Sequence, residues 1–280
     1  MNDFYLLFGY QFFRNAVLAA IMTSLLAAML GTYIVSRKIV FISGGITHAS
    51  FGGIGMAYFL GINPFMGAAI FSVLSSVGIE WISSRGKIRE DSAIAILWSF
   101  GMALGIIFVF LTPGYAPNLM TFLFGSILSV GAVDLWLILG LVLFTALFFI
   151  IYYRPIIYSA FDPEFSETVG IPVKFFRYAM AVLIALAIVI SIRTMGIILV
   201  LSLFSIPQAT AMLFTKNFAK IIPLSMLFGL TGSLIGLFSA YGFNIPSGAA
   251  IIFTLTVQYA VIKVIVSVRQ NVLKLKEGNG

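Results

Sequence analysis

The sequence predicts an all-α integral membrane protein, a polytopic bundle of about nine transmembrane helices. Three observations lead there. Hydrophobic residues make up 61% of the 280-residue chain and charged residues 9%, against about 25% charged in a typical soluble domain. That leaves too few charges to coat a water-facing surface. The apolar residues come in long runs, several of which reach the roughly 20 residues that a helix needs to cross a hydrocarbon core about 30 Å thick. Runs such as 135–151 do not alternate apolar and polar positions, as the roughly 10-residue strands of a membrane barrel do.

Taken in order, the aromatic, weakly polar residues 1–14 read as an interfacial segment. A first span over 15–36 ends at Arg37-Lys38, and a short glycine-rich second span covers 45–60. Asn63-Pro64 opens a turn into a third span, 65–83, which runs into the charged loop 85–91. The fourth span, 92–111, stops at Thr112-Pro113-Gly114. Residues 119–131 are apolar but too short to cross, so they read as a re-entrant helix. The fifth span is 133–153, followed by a loop over 154–174. The last four are 175–192, 196–214, 221–241 and 248–268. One transmembrane domain therefore accounts for 1–280. The N-terminus lacks the short apolar stretch and small-residue cleavage site of a secretory leader, so its first run reads as a retained helix.

The net charge is +7, but its placement points to anionic lipid and away from nucleic acid. The basic residues sit in the gaps between apolar runs, as they do in cytoplasmic loops. With the N-terminus outside and the C-terminus inside, fourteen of the sixteen Lys and Arg residues face inward, and only Arg14 and Arg193 face outward. There is no cysteine, which excludes disulfides and thiolate metal sites.

Three stretches could carry chemistry. His48 is the single histidine, within Phe41-Ile-Ser-Gly-Gly-Ile-Thr-His-Ala-Ser-Phe-Gly-Gly. Gly44, His48 and Gly52 share one helical face, and Gly45, Ala49 and Gly53 form a small-residue face beside it. An ionisable group inside a membrane suggests function, and imidazole is the commonest metal ligand. The plainer reading is a histidine hydrogen-bonded between helices. In the seventh span, Ser202, Ser205 and Gln208 are spaced by three, and Pro207 frees a carbonyl near Leu203. This is either a cavity lining or interhelical packing with a kink. The segment 161–172 reads as a short helix capped by Asp162, with acids in its first turn and Gly170 ending it before Pro172. It is a docking element or an ordinary connector.

No P-loop, zinc-protease or serine-hydrolase motif is present, which argues against an enzyme and against ATP binding by this chain. An ion-coupled secondary transporter is the alternative to weigh. Such proteins carry intramembrane acids, and here the one acid near a span centre or end reads as Asp134, at an outer edge.

Together these pieces resemble the permease subunits of bacterial ABC importers for zinc, manganese and iron. The resemblance runs through Phe13-Arg14-Asn15-Ala16, Thr47-His48-Ala49, Leu123-Phe124-Gly125-Ser126, the stretch from Asp162 to Pro172, and Gly196-Ile-Ile-Leu-Val with Ile206-Pro207. It implies a chain in the bacterial inner membrane that works as a homodimer. A separate ATPase would dock on a cytoplasmic coupling helix carrying Asp162, Glu164, Glu167 and Gly170. A periplasmic or lipoprotein metal-binding protein would deliver the ion. No cofactor is expected, and Zn or Mn is cargo. The family's second helix usually has an aspartate four residues before the histidine; here that position is Gly44. His48 then carries the metal role, with Ser43, Thr47, Ser205 and Gln208 as possible helpers. Imidazole without carboxylate favours zinc over manganese. The charge asymmetry yields a direct check: a reporter fused after Gly280 should read as cytoplasmic, and a periplasmic signal would contradict this topology.

Overall fold

The computed structural model describes residues 8–85, 88–113 and 127–277, with side chains to residue 271. These form eleven α-helices and one 3-10 turn, with no strand among the described residues. The helices are α1 (Gln11–Ser36), α2 (Phe41–Phe59), α3 (Pro64–Ser84), α4 (Glu90–Leu111), α5 (Ala132–Phe161), α6 (Pro163–Thr168), α7 (Val173–Met195), α8 (Ile197–Leu203), α9 (Ile206–Ala211), α10 (Phe218–Phe243) and α11 (Ser247–Glu277).

Seven of them are long and apolar enough to cross a membrane: α1, α3, α4, α5, α7, α10 and α11. The second and seventh predicted spans differ from the rest. The second is the unbroken helix α2, but its glycines, hydroxyls and histidine lower its mean hydropathy. Fourteen of its nineteen residues are buried, so it faces protein and needs no lipid-compatible surface. The seventh is split into α8 and α9. Gly196, at φ 80°, turns the chain out of α7, and Ser205, at φ −132° and ψ −51°, interrupts the helix just before Pro207. Proline within the first turn of α9 lacks only an N–H that would have no partner there.

The predicted loop 154–174 begins too early. α5 continues to Phe161 through a kink at Tyr152, where φ is −110° and ψ is 25°. The kink relieves the clash that Pro155 would make with the preceding turn. At the other end of the chain, helix α1 takes in residues 11–14 of the predicted interfacial segment. Residues 1–7 and 119–126 lie outside the described residues. The end of the expected re-entrant segment is the 3-10 turn Ile127–Ser129, and Asn15 Nδ2 donates to Val130 O at 2.9 Å beside it.

α1 and α7 form the centre of the bundle, with 72% and 61% of their apolar windows buried. Alanines 16, 19, 20, 27 and 28 let neighbouring backbones close on α1. The outermost helix is α11, with 17% of its window buried.

α2 is held between α3 and α4 by backbone approach. A Cβ placed on Gly52 would lie 2.8 Å from Gly101 O, and one on Gly105 2.7 Å from Phe51 O. On its other side, Gly53 and Gly67 each lie against the other's carbonyl. Glycine is required here because the partner atoms are backbone and cannot swing away. Replacing Gly101 or Gly105 by alanine should overpack this contact at a cost of about 1–3 kcal/mol, lowering the melting temperature of the purified protein by at least about 3 °C. Gly140→Ala, where nothing lies within 4 Å, serves as the control and should leave it unchanged.

Candidate functional site

His48 projects from the half-buried edge of α2 onto α4. Its imidazole stacks on the Trp98 indole, with ring centroids 4.4 Å apart and planes 7° from parallel. It has no hydrogen-bond partner among the described residues, so the interhelical hydrogen bond of the plainer reading is not what holds it. Stacking fixes the ring plane from one face, while the ring nitrogens keep their lone pair and N–H in that plane, free to meet an ion.

The Gly44 position completes this wall. A Cβ there would rest 3.4 Å from Trp98 Cζ3 and 3.7 Å from Leu201 Cδ1. These are ordinary contacts, so a Cβ at position 44 would be accommodated. The indole and Leu201 line the space beside position 44.

The suggested helpers each make a hydrogen bond of their own. Ser43 Oγ donates to Val40 O at 2.8 Å, and Thr47 Oγ1 to Ser43 O, both within their own helix. Ser202 Oγ donates to Ile198 O at 3.0 Å and Ser205 Oγ to Leu201 O at 2.7 Å. Gln208 points to α1: its Nε2 donates to Ala27 O at 2.7 Å, and a Cβ on Gly31 would lie 2.5 Å from that nitrogen. Its Oε1 is buried without a hydrogen-bond partner among the described residues. Three or more His, Cys, Asp or Glu side chains do not cluster anywhere among the described residues. On its own, the one imidazole is the metal-type ligand the site offers.

α6 has the caps its sequence suggested. Asp162 Oδ1 accepts from Phe165 N at 3.0 Å, with Pro163 in the first turn. Its end is a Schellman motif, with Gly170 at φ 80° donating to Glu167 O at 3.1 Å and Ile171 N donating to Ser166 O at 2.9 Å. Ser166 is buried, while Glu164, Phe165, Glu167 and Val169 are exposed. The helix thus presents two acids and two apolar side chains outward.

The structure also corrects the inventory of acids. Besides Asp134, α3 carries Glu80, which is 3% exposed. Glu80 pairs with Arg177 through Oε1 and with Arg37 through Oε2, the latter at 3.7 Å. Arg37 also reaches Glu90 at 3.4 Å and Tyr33 Oη at 3.2 Å. The sequence signal is an acid inside the apolar run 65–83, which the reading of Asp134 as the one acid near a span passed over. At the opposite end of the bundle, Asp134 Oδ1 pairs with Arg193 Nε at 2.7 Å, and its Oδ2 accepts from Gly131 N at 3.0 Å. Arg193 borders a cleft of about 320 Å³ lined by Ser50, Tyr58, Asn63 and Phe65 among others.

The ABC 3 transport family model matches residues 9–267. The manganese transport system membrane protein MntC of Halalkalibacterium halodurans is 34% identical over 254 residues, 91% of this chain and 87% of that protein. The manganese import system permease protein ScaB of Streptococcus gordonii is 32% identical over 270 residues, 96% of each chain. The structure of PsaBC from Streptococcus pneumoniae in complex with Fab superposes with a TM-score of 0.81 at 31% identity, covering 94% of this chain and 95% of that one. An inward-facing putative metal-chelate type ABC transporter shares the fold, with a TM-score of 0.71 at 18% identity over 90% of this chain and 85% of that one. Matched along almost its whole length, the chain belongs to the ABC 3 transport family and is a multi-pass membrane permease.

Proposed function

We propose that this chain is the permease subunit of an ATP-driven importer for divalent transition-metal ions, with manganese as cargo. The observation that carries this reading is full-length similarity to permeases named for manganese import, combined with a single stacked imidazole on a buried, glycine-walled helix. A second reading, zinc, rests on the site itself. Imidazole suits zinc, whereas manganese favours oxygen ligands, and Gly44 leaves the site without a carboxylate.

In the proposed arrangement, nine segments cross the membrane, α2 and the broken α8–α9 pair being shielded inside the bundle. The positively charged end faces the cytoplasm. Two copies form the pathway, a metal-binding protein docks outside, and a separate ATPase docks on α6. ATP binding and hydrolysis there drive alternation between outward-open and inward-open states. His48 meets the ion in the plane of its ring, and Trp98 keeps that plane fixed. Ser205 and Gln208 border the break in the neighbouring helix, where Gln208 Oε1 is the one side-chain oxygen of the proposed set with no hydrogen-bond partner. Secondary transport is displaced as an alternative because family membership supplies the energy source.

His48→Ala should reduce metal uptake at least about tenfold, on the scale of losing a coordination-shell group, with assembly intact. His48→Gln keeps hydrogen-bonding capacity but coordinates metal poorly, so wild-type transport by that variant would make His48 a packing residue. Trp98→Leu should impair uptake less than His48→Ala, because it removes the orientation but leaves the ligand. Gly44→Asp should tighten manganese binding relative to zinc in a competition assay; unchanged selectivity would separate position 44 from the ion's path. At α6, the double change Glu164→Lys, Glu167→Lys should reduce co-purification of the ATPase, and unchanged assembly with unchanged transport would remove α6 as the docking element.

A further inference from the structure

The ion network around Glu80 has a particular place in the chain. It joins four helices: Tyr33 on α1 with Arg37 at its end, Glu80 on α3, Glu90 at the start of α4, and Arg177 in the first turns of α7. Two arginines face two glutamates, so the group is neutral as a whole. Glu80 and Arg37 are its inner members, their side chains 4% and 11% exposed, and Glu90 and Arg177 its outer ones, at 22% and 21%.

Three of the members stand at or near the base of an element already assigned a role, and Glu80 on α3 joins them. α2, which carries His48, begins four residues after Arg37, and α4, which carries Trp98, begins at Glu90. Arg177 lies on the helix that leaves the α6 segment, separated from α6 only by residues 169–172. A continuous chain of contacts thus runs from α6 into α7, from Arg177 to Glu80, and from Glu80 through Arg37 to the bases of α2 and α4. No other ion pair among the described residues links α7 to that end of the helix pair.

Stability alone does not account for such a group. A buried ion pair is often no more stabilising than apolar residues of the same volume, because desolvation offsets the attraction. What it provides is a contact with discrete made and broken states, the kind of two-state element through which distant sites are coupled.

We infer that Arg177, Glu80, Arg37 and Glu90 form a coupling latch that carries ATPase motion at α6 to the His48–Trp98 pair. They are positioning residues, acting through α2 and α4 and not on the ion itself. This rests on the docking of the ATPase at α6, and the two are separable. α6 variants are read by assembly, and latch variants by the number of ions moved per ATP hydrolysed.

The test uses the complete transporter in proteoliposomes, with manganese as the probe, comparing Glu90→Gln, Arg177→Lys and Glu80→Gln with the wild type. The first two alter the outer members and spare the most buried carboxylate, so they keep the test valid if Glu80→Gln fails to fold. The latch requires that Glu90→Gln and Arg177→Lys assemble normally and hydrolyse ATP within about twofold of the wild type. Their metal uptake should fall at least about fivefold, within the range by which residues along a coupling route act. Uptake and hydrolysis falling in equal proportion would overturn the latch, as would no change in either. So would loss of assembly in both outer variants, which would make the network a structural staple. If the α6 variants assemble and transport normally while the latch variants still lower ions per ATP, the network couples hydrolysis to transport but the route through α6 is overturned.

Discussion

Everything at the candidate site depends on the close approach of α2 to α3 and α4. Gly52 and Gly101, Phe51 and Gly105, and Gly53 and Gly67 bring backbone against backbone. That approach places a helix with a histidine and several hydroxyls inside the bundle, where its low hydropathy is no handicap. It also sets Trp98 flat against His48. Were α2 a lipid-facing helix, its glycine face would have no packing partner and His48 would have to be solvated or neutral in hydrocarbon.

Polar groups elsewhere follow the same logic. Ser43, Thr47, Ser202, Ser205 and Thr210 satisfy their hydroxyls on the preceding turn of their own segment. Gln208 crosses to α1 and fills the notch left by Gly31. Buried carboxylates are matched to arginines at both ends, Glu80 with Arg37 and Arg177 at one, Asp134 with Arg193 at the other. Removing one member of such a pair leaves an uncompensated charge, at a cost of roughly 3–5 kcal/mol when fully buried. The bundle interior therefore tolerates few charges, its buried carboxylates each paired with arginine, and His48 stands apart as an ionisable group with a stacking contact in place of a polar one.

Much of this was legible in the sequence because it was local. Asp162, Pro163 and Gly170 bracket a helix by cap chemistry alone, and the structure shows those caps. Pro207 signalled a disturbed seventh span, although the break at Ser205 goes further than a kink. What could not be read was long-range or depended on compensation. The fifth span was expected to end at residue 153, yet the bend at Tyr152 lets α5 continue through Pro155 to Phe161. Glu80 went unnoticed because its partners, Arg37 and Arg177, lie on other segments of the chain. Trp98 lies in an ordinary apolar run, and its role appears only when α4 is laid on α2. Likewise, the bond from Gln208 Nε2 to Ala27 O joins residues 181 positions apart, and no local pattern announces it.

The activity proposed for this permease is inward movement of divalent transition metal at the expense of ATP hydrolysed by a partner. The most direct measurement is radiolabelled manganese accumulation in proteoliposomes containing the permease and its ATPase, with the metal-loaded binding protein supplied outside. Import by this route requires accumulation that appears only with ATP and the binding protein together, and that excess unlabelled manganese suppresses while magnesium does not. Accumulation driven by an imposed ion gradient without ATP, or ATP-dependent export in place of uptake, would contradict it.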